Sequence, residues 1–196
     1  MKVHSNKAAT VRKLTTYGDP VLREKAKPIL RIDESIRQLA DDMIATMRSR
    51  NGVGLAAQQV GETLAICVID IPQEPPDEQP SPVSGPSEPP VPMPIILINP
   101  DILETAGKET GQEGCLSFPE IYVSITRAEQ VTAAFQDITG KKRTLRAKGL
   151  LARAIQHELD HLAGILLVDR MSPIKRITLS GKLKKLKKKS EGGKES

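Results

Sequence analysis

Apolar residues recur along the chain with two different periods. Ile36, Leu39, Met43, Ile44 and Met47 fall at i, i+3, i+7, i+8 and i+11, one stripe of an α-helix. Asp33 precedes the stripe as a cap, and Asn51 and Gly52 end it. "NGVGLAAQQVG" (51–61) reads as a loop or turn, and "LAICVID" (64–70) and "IILINP" (95–100) read as strands. "IYVSITR", "QVTAAFQD" and "KKRTLRA" (121–147) alternate, which predicts antiparallel strands with turns at "RAEQ" and "ITGKK". A second helix is predicted over about 149–164, where Leu151, Ala154, Ile155, Leu159 and Leu162 make most sides apolar and so predict burial. Helix, strands, helix is the order of an α+β domain, not of a β-α-β alternation.

Length changes this picture little: 196 residues suffice for one ordinary domain with a sizeable core. There is no run of about 20 apolar residues, so no membrane-spanning helix is expected. The start "MKVHSNKAATVRK" lacks the apolar region of a secretory signal, and its basic, acid-free character supports an organelle origin less than a bacterial one. Of the two cysteines, Cys67 lies in a strand-like run and reads as a small core residue. The expectation is a reduced, cytoplasmic protein.

Two segments break the pattern. Residues 72–94 hold ten prolines in 23 positions, four acids and no Lys or Arg, which predicts an exposed insertion between two strands. Residues 175–196 hold nine Lys or Arg against two Glu, a net of +7, so the rest of this +5 chain carries −2. A catalytic domain is therefore expected over 1–174 and a basic tail, unstructured or helical only on binding, over 175–196.

The chemistry concentrates in "QHELDHL" (156–162). His157 and His161 are one helical turn apart, so two imidazoles can converge on one ion. Glu158 lies about 100° round the axis from His157, off the ligand line but able to act as general base on a water. The plain alternative is a chance H-E-x-x-H on a solvated helix. The apolar flanks argue against it, because buried histidines and acids need partners. A catalytic ion of this kind usually takes three protein ligands. The long protease form H-E-x-x-H-x-x-G-x-x-H fails at Leu167, and the acids after the helix are Asp169, Glu191 and Glu195, two of them in the tail. The third ligand must then lie upstream. Cys115, in "QEGCLSFPE", is the candidate, although taken alone it also reads as a small buried thiol.

"GVGLAAQQ" (52–59), "EGCLS" (113–117) and "QHELDHL", in that order, resemble the three signature motifs of the peptide deformylases. "KLTTYGDPVLREKAKPI" resembles the start of that family, and the likeness runs over about residues 13–171. The insertion and the lysine tail depart from a compact bacterial form, yet every motif position is filled. The resemblance implies antiparallel sheets packed around a central metal-binding helix. It implies hydrolysis of the formyl group from N-formyl-methionyl peptides, with Cys115, His157 and His161 on one divalent metal. Iron(II) is the ion implied, while zinc, nickel and cobalt suit the same ligands. Glu158 is the implied base, and Gln59 with the backbone N–H of Leu116 the implied oxyanion donors. Gly52 and Gly54 would let a peptide backbone pair as an added strand. Val53, Leu116, Leu150 and Ile155 are the candidates for a methionine pocket. Asp160 and Glu113 are candidates to orient a ligating histidine, and Glu113, which borders the same site, could pair instead with a buried arginine. The tail, "KLKKLKKK" (182–189) above all, suits a polyanion, and the substrate points to the ribosome. Two rival readings are a zinc peptidase and a non-enzymatic RNA-binding module carried by the tail.

Overall fold

The computed structural model describes residues 8–72 and 91–192. Asp33 caps the first helix as the pattern predicts, its carboxylate accepting the N–H groups of Ser35 and Ile36. The helix, α1, runs Glu34–Ser49 and buries Ile36, Leu39, Met43 and Met47. The stretch after it holds more structure than the expected loop. β1 (Gly54–Ala56) and a 3-10 turn (Ala57–Val60) lie within it, because pairing with β2 (Ile66–Ile69) supplies hydrogen bonds that three residues do not advertise.

β3 (Ile95–Ala106) is twice as long as "IILINP", since its second half pairs with a distant strand. β4 (Glu109–Cys115) forms a hairpin with β5 (Phe118–Arg127), and β6 (Gln130–Gln136) forms another with β7 (Lys142–Lys148). β4 was not expected as a strand, being rich in Gly and Glu. The "RAEQ" turn was expected to join a hairpin, but it links strands of two different sheets. Among the described residues the first sheet is wholly antiparallel in the order β1-β2-β3-β6-β7, and the second is the β4-β5 pair.

α2 (Gly149–Leu162) lies against one face of the large sheet and α1 against the other. Alternation on β2 shows the division. Cys67 and Ile69 pack with Leu151, Ala152 and Ile155 of α2, while Ile66 and Val68 pack with Leu39 and Met43 of α1. Both faces of β2 are therefore apolar, as a strand covered on both sides requires. Cys67 is a fully buried free thiol, as its setting predicts. At the sheet's far end Asn99, with φ 50, binds both backbone groups of Ile29 and the side chain of Gln136.

After α2 the chain continues through α3 (Leu167–Arg170), α4 (Pro173–Thr178) and α5 (Ser180–Gly192). The described part of the basic segment, expected as a tail unstructured or helical only on binding, is thus helical, and α5 is docked. Leu183 is buried in a third cluster with Leu22, Phe118 and Ile121, and Leu186 packs beside it. Two leucines three apart suffice once a complementary apolar surface exists, which the tail's own sequence does not reveal. No described helix is long and apolar enough to cross a membrane. Of the Pro-rich insertion expected at 72–94, residues 73–90 lie outside the described residues, and Ile71, Val91 and Met93 at its ends pack against the α2 side of the core.

Candidate metal centre

The two histidines sit on the face of α2 that turns toward the β4-β5 hairpin. The hairpin brings Cys115 to them from the end of β4, just before the two-residue turn at Leu116 and Ser117. The ligand atoms of Cys115, His157 and His161 lie within 4.8 Å of one another. Cys115 Sγ is 3.2 Å from His161 Nε2. These donors fit a single divalent metal: one soft sulfur and two imidazoles leave a fourth position open.

The histidines are oriented by different means. His157 Nδ1 is 3.0 Å from Glu113 Oε2. An ionised carboxylate only accepts, so Nδ1 carries the proton and Nε2 is left for a metal. Burial works to lower the pKa of His157, but its hydrogen bonds to Cys115 and Glu113 outweigh it and hold the ring well above the usual range. Burial, together with the charges of His157 and Arg127, pushes His161 well below it. His161 Nδ1 is buried with no partner among the described residues.

Glu113 does both things the sequence left open. It accepts from His157 and is also clamped by arginine. Arg127 donates to both its oxygens at 2.9 Å, and Arg153 donates to Oε1 at 2.9 Å. Burial would raise its carboxyl, but these donors outweigh it and hold it down at about 2. Arg127 reaches on to Asp160 at 2.5 Å, and Asp160 is also held by Arg170. Asp160 therefore orients Arg127 rather than a histidine. The arginines went unremarked in the sequence, although signals existed. Arg127 continues the inward alternation of Ile121, Val123 and Ile125, and Arg153 is one turn before His157.

Glu158 is 3% exposed, and its Oε2 has no partner among the described residues. Burial raises its carboxyl to about 7, with His157 opposing. Its Oε1 lies against the bare Cα of Gly54, where an added Cβ would run into it. The glycine thus makes room for the carboxylate, whatever else approaches it. Gly52 does the same for Leu116, whose Cδ1 would be 2.8 Å from an added Cβ.

Gln59 stands on the 3-10 turn, fixed by Ala56 N–H donating to its Oε1 at 2.8 Å. Its Nε2 donates toward Ser117 Oγ at 3.3 Å and Cys115 Sγ at 3.5 Å. An amide donor is therefore held beside the cysteine before any ligand arrives.

A cavity of ≈ 460 Å³ opens over this group. Gln59, Glu113, Cys115, Leu116, His157 and Glu158 line it, as do Gly52, Val53, Gly54 and Leu150. Ile155 was expected there and is not among the lining residues. It is 0% exposed on the sheet side of α2, with Cys67 and Leu97. Two positions before His157 on a helix point about 200° away from it, hence the core. Arg153 and Tyr122 line the cavity without having been anticipated.

The family model of the polypeptide deformylases matches residues 11–177. A peptide deformylase of Dictyoglomus thermophilum is 46% identical over 160 residues, covering 82% of this chain and 92% of its own. One of Mesorhizobium japonicum is 42% identical over 185 residues, covering 94% and 97%. The solved structure of a peptide deformylase from Legionella pneumophila aligns with a TM-score of 0.76 at 40% identity, over 91% of this chain and 96% of that one.

Proposed function

The chain belongs to the polypeptide deformylase family, a hydrolase that removes the N-formyl group of nascent polypeptides, and from that premise we propose how its side chains share the work. Cys115, His157 and His161 hold the metal, with iron(II) the proposed ion. When bound, such an ion supplies Lewis-acid polarisation and draws the pKa of a water down toward neutrality.

The remaining steps belong to the protein. Glu158 takes the proton of the attacking water at its free Oε2, and its raised pKa suits a group that must then give that proton back. The water oxygen adds to the formyl carbon, the C–N bond breaks, formate leaves, and Glu158 passes the proton to the departing amine. Gln59 Nε2–H and the Leu116 N–H donate to the oxyanion that develops. Glu113, with Arg127 and Arg153 behind it, keeps His157 in its ligating tautomer.

β1 is an edge strand, which supports an extended substrate pairing alongside Gly52, Val53 and Gly54. Val53, Leu116 and Leu150 border the space for its methionine. A cytoplasmic, reducing compartment suits two free cysteines and a thiolate ligand. The exposed lysines of α5 support docking to the ribosome near the site where the formyl-peptide emerges. Catalysis remains assigned to residues 1–174, with 72–94 an insertion.

The observation that carries this reading is the Glu158 oxygen, unpartnered among the described residues, beside a cysteine sulfur and two imidazoles. The test is anaerobic hydrolysis of a formyl-Met peptide, with metal content measured on the same sample. Activity that tracks bound iron supports the reading. Full activity in metal-free protein overturns it.

A further inference from the structure

Arg153 is a charged residue in an unusual place. It is 7% exposed, yet it lines the cavity. It sits one helical turn before His157, about 6 Å along the same face of α2. Its guanidinium is held from three sides. NH1 donates to Glu113 Oε1 at 2.9 Å and to Ile125 O at 3.0 Å, and NH2 donates to Glu109 O at 3.1 Å. Its flat face lies on Gly111, where an added Cβ would be 3.0 Å from both Cζ and NH2. A guanidinium has five N–H donors. Those bonds use three, NH2 also forms an ion pair with Glu109 Oε2 at 4.0 Å, and among the described residues Nε–H has no acceptor.

The cavity is also lined by the apolar side chains of Val53, Leu116 and Leu150, and by the Glu113 carboxylate, whose oxygens are taken up by Arg127, Arg153 and His157. A side chain entering from a formyl group at the metal ligands therefore meets apolar side chains and a fixed guanidinium with an unused Nε–H. An unbranched side chain with an acceptor at its end suits that shape. The methionine thioether is a weak acceptor, and its sulfoxide a strong one.

We propose that Arg153 gives the wall of the cavity a hydrogen-bond donor, so that the enzyme also deformylates peptides beginning with N-formyl-methionine sulfoxide. The reaction is the same hydrolysis. Water adds to the formyl carbon, the C–N bond breaks and formate leaves, while the sulfoxide is neither oxidised nor reduced. The proposal rests on the site assignment above and adds a substrate class to it. Arg153 acts here as a specificity residue. An all-apolar pocket would instead strip water from the sulfoxide oxygen and return nothing.

The test uses metal-loaded holoenzyme and three peptides that differ only in the first residue: methionine, methionine sulfoxide and norleucine, the last a control of similar length without sulfur. Wild-type enzyme is expected to show a kcat/KM for at least one sulfoxide diastereomer equal to or above that for norleucine. Arg153→Leu is expected to lower the sulfoxide-to-norleucine ratio about tenfold or more, the worth of one hydrogen bond to a charged donor. Calorimetric Kd values for the deformylated product peptides should move the same way, a change that general loosening of the site would not make. Where Arg153→Leu does not fold, Gly111→Ala keeps the arginine, displaces its guanidinium and should lower the same ratio. A wild-type preference for norleucine, or a ratio unmoved in a folded variant, overturns the proposal. Failure to cleave even the formyl-Met peptide would instead count against the site assignment.

Discussion

α2 and α5 are nearly equal in length, 14 and 13 residues, and they are stabilised in opposite ways. α2 is wrapped on most sides, and two of its charged groups are fixed by partners on other elements: Arg153 on Glu113, Asp160 on Arg127 and Arg170. α5 buries one leucine edge and leaves its lysines in solvent. Where α2's charges are paired, a single change leaves a charge stranded. On α5 charge is redundant, and the fold depends on one apolar contact. Buried charge gives precision at high cost, while surface charge gives reach at low cost.

The largest effect expected is at the ligands. Cys115→Ala, His157→Ala and His161→Ala should each lose metal and turnover together, measured by elemental analysis and formyl-peptide hydrolysis. A fully active Cys115→Ala protein would remove the cysteine from the metal site.

Arg127→Met should follow. It leaves Asp160 and Glu113 short of a partner, at a cost of about 3–5 kcal/mol for a broken buried pair. Denaturant unfolding measures it, and a loss below about 1 kcal/mol, typical of surface pairs, would place this network with the surface ion pairs.

Glu158→Gln should keep the metal and lose turnover on the order of 10²-fold or more. Collapse of metal occupancy in this variant would make Glu158 a structural group.

Acid should act through Glu113. Its carboxyl titrates at about 2 when folded and at about 4.3 when unfolded. A depressed folded pKa means a contribution that is complete above the unfolded value and lost as pH falls from there toward the folded one. Glu113→Gln should therefore flatten the decline in stability between these pH values, and an unchanged slope would show that the decline comes from other groups.

The smallest effects belong to α5. Leu183→Ala should cost about 2 kcal/mol, whereas Lys184→Ala or Lys188→Ala should stay within about 0.5 kcal/mol. Equal effects at leucine and lysine would mean that the helix is not held by its edge.

What was legible in the sequence follows the same division. α1, β2 and α2 could be read because their apolar period states directly which face is buried. The ligand set could be read because i, i+4 histidines meet on one face wherever the helix goes. Arg127 and Arg153 were signalled only by their spacing, which is easily overridden because an arginine looks solvent-exposed until its acid is known, and Glu113 comes from a strand that itself escaped notice. β4 escaped because its hydrogen bonds are with β5 and its residues are chosen for the site, with Gly111 making room for a guanidinium. The docking of α5 escaped because its receiving surface is assembled from Leu22, Phe118 and Val168, far apart in the chain.

The order of the large sheet has a consequence for how this protein behaves at high concentration. A sheet with two open edges invites neighbouring molecules to extend it into aggregates. β7, at one end, carries Lys142, Arg143, Arg146 and Lys148 in seven residues, so two copies approaching edge to edge repel. β1, at the other end, carries no charged residue, and its protection is brevity: three residues offer too few backbone groups to hold a second protein. If the proposed substrate pairs along β1, the edge that stays adhesive is the one too short for self-association.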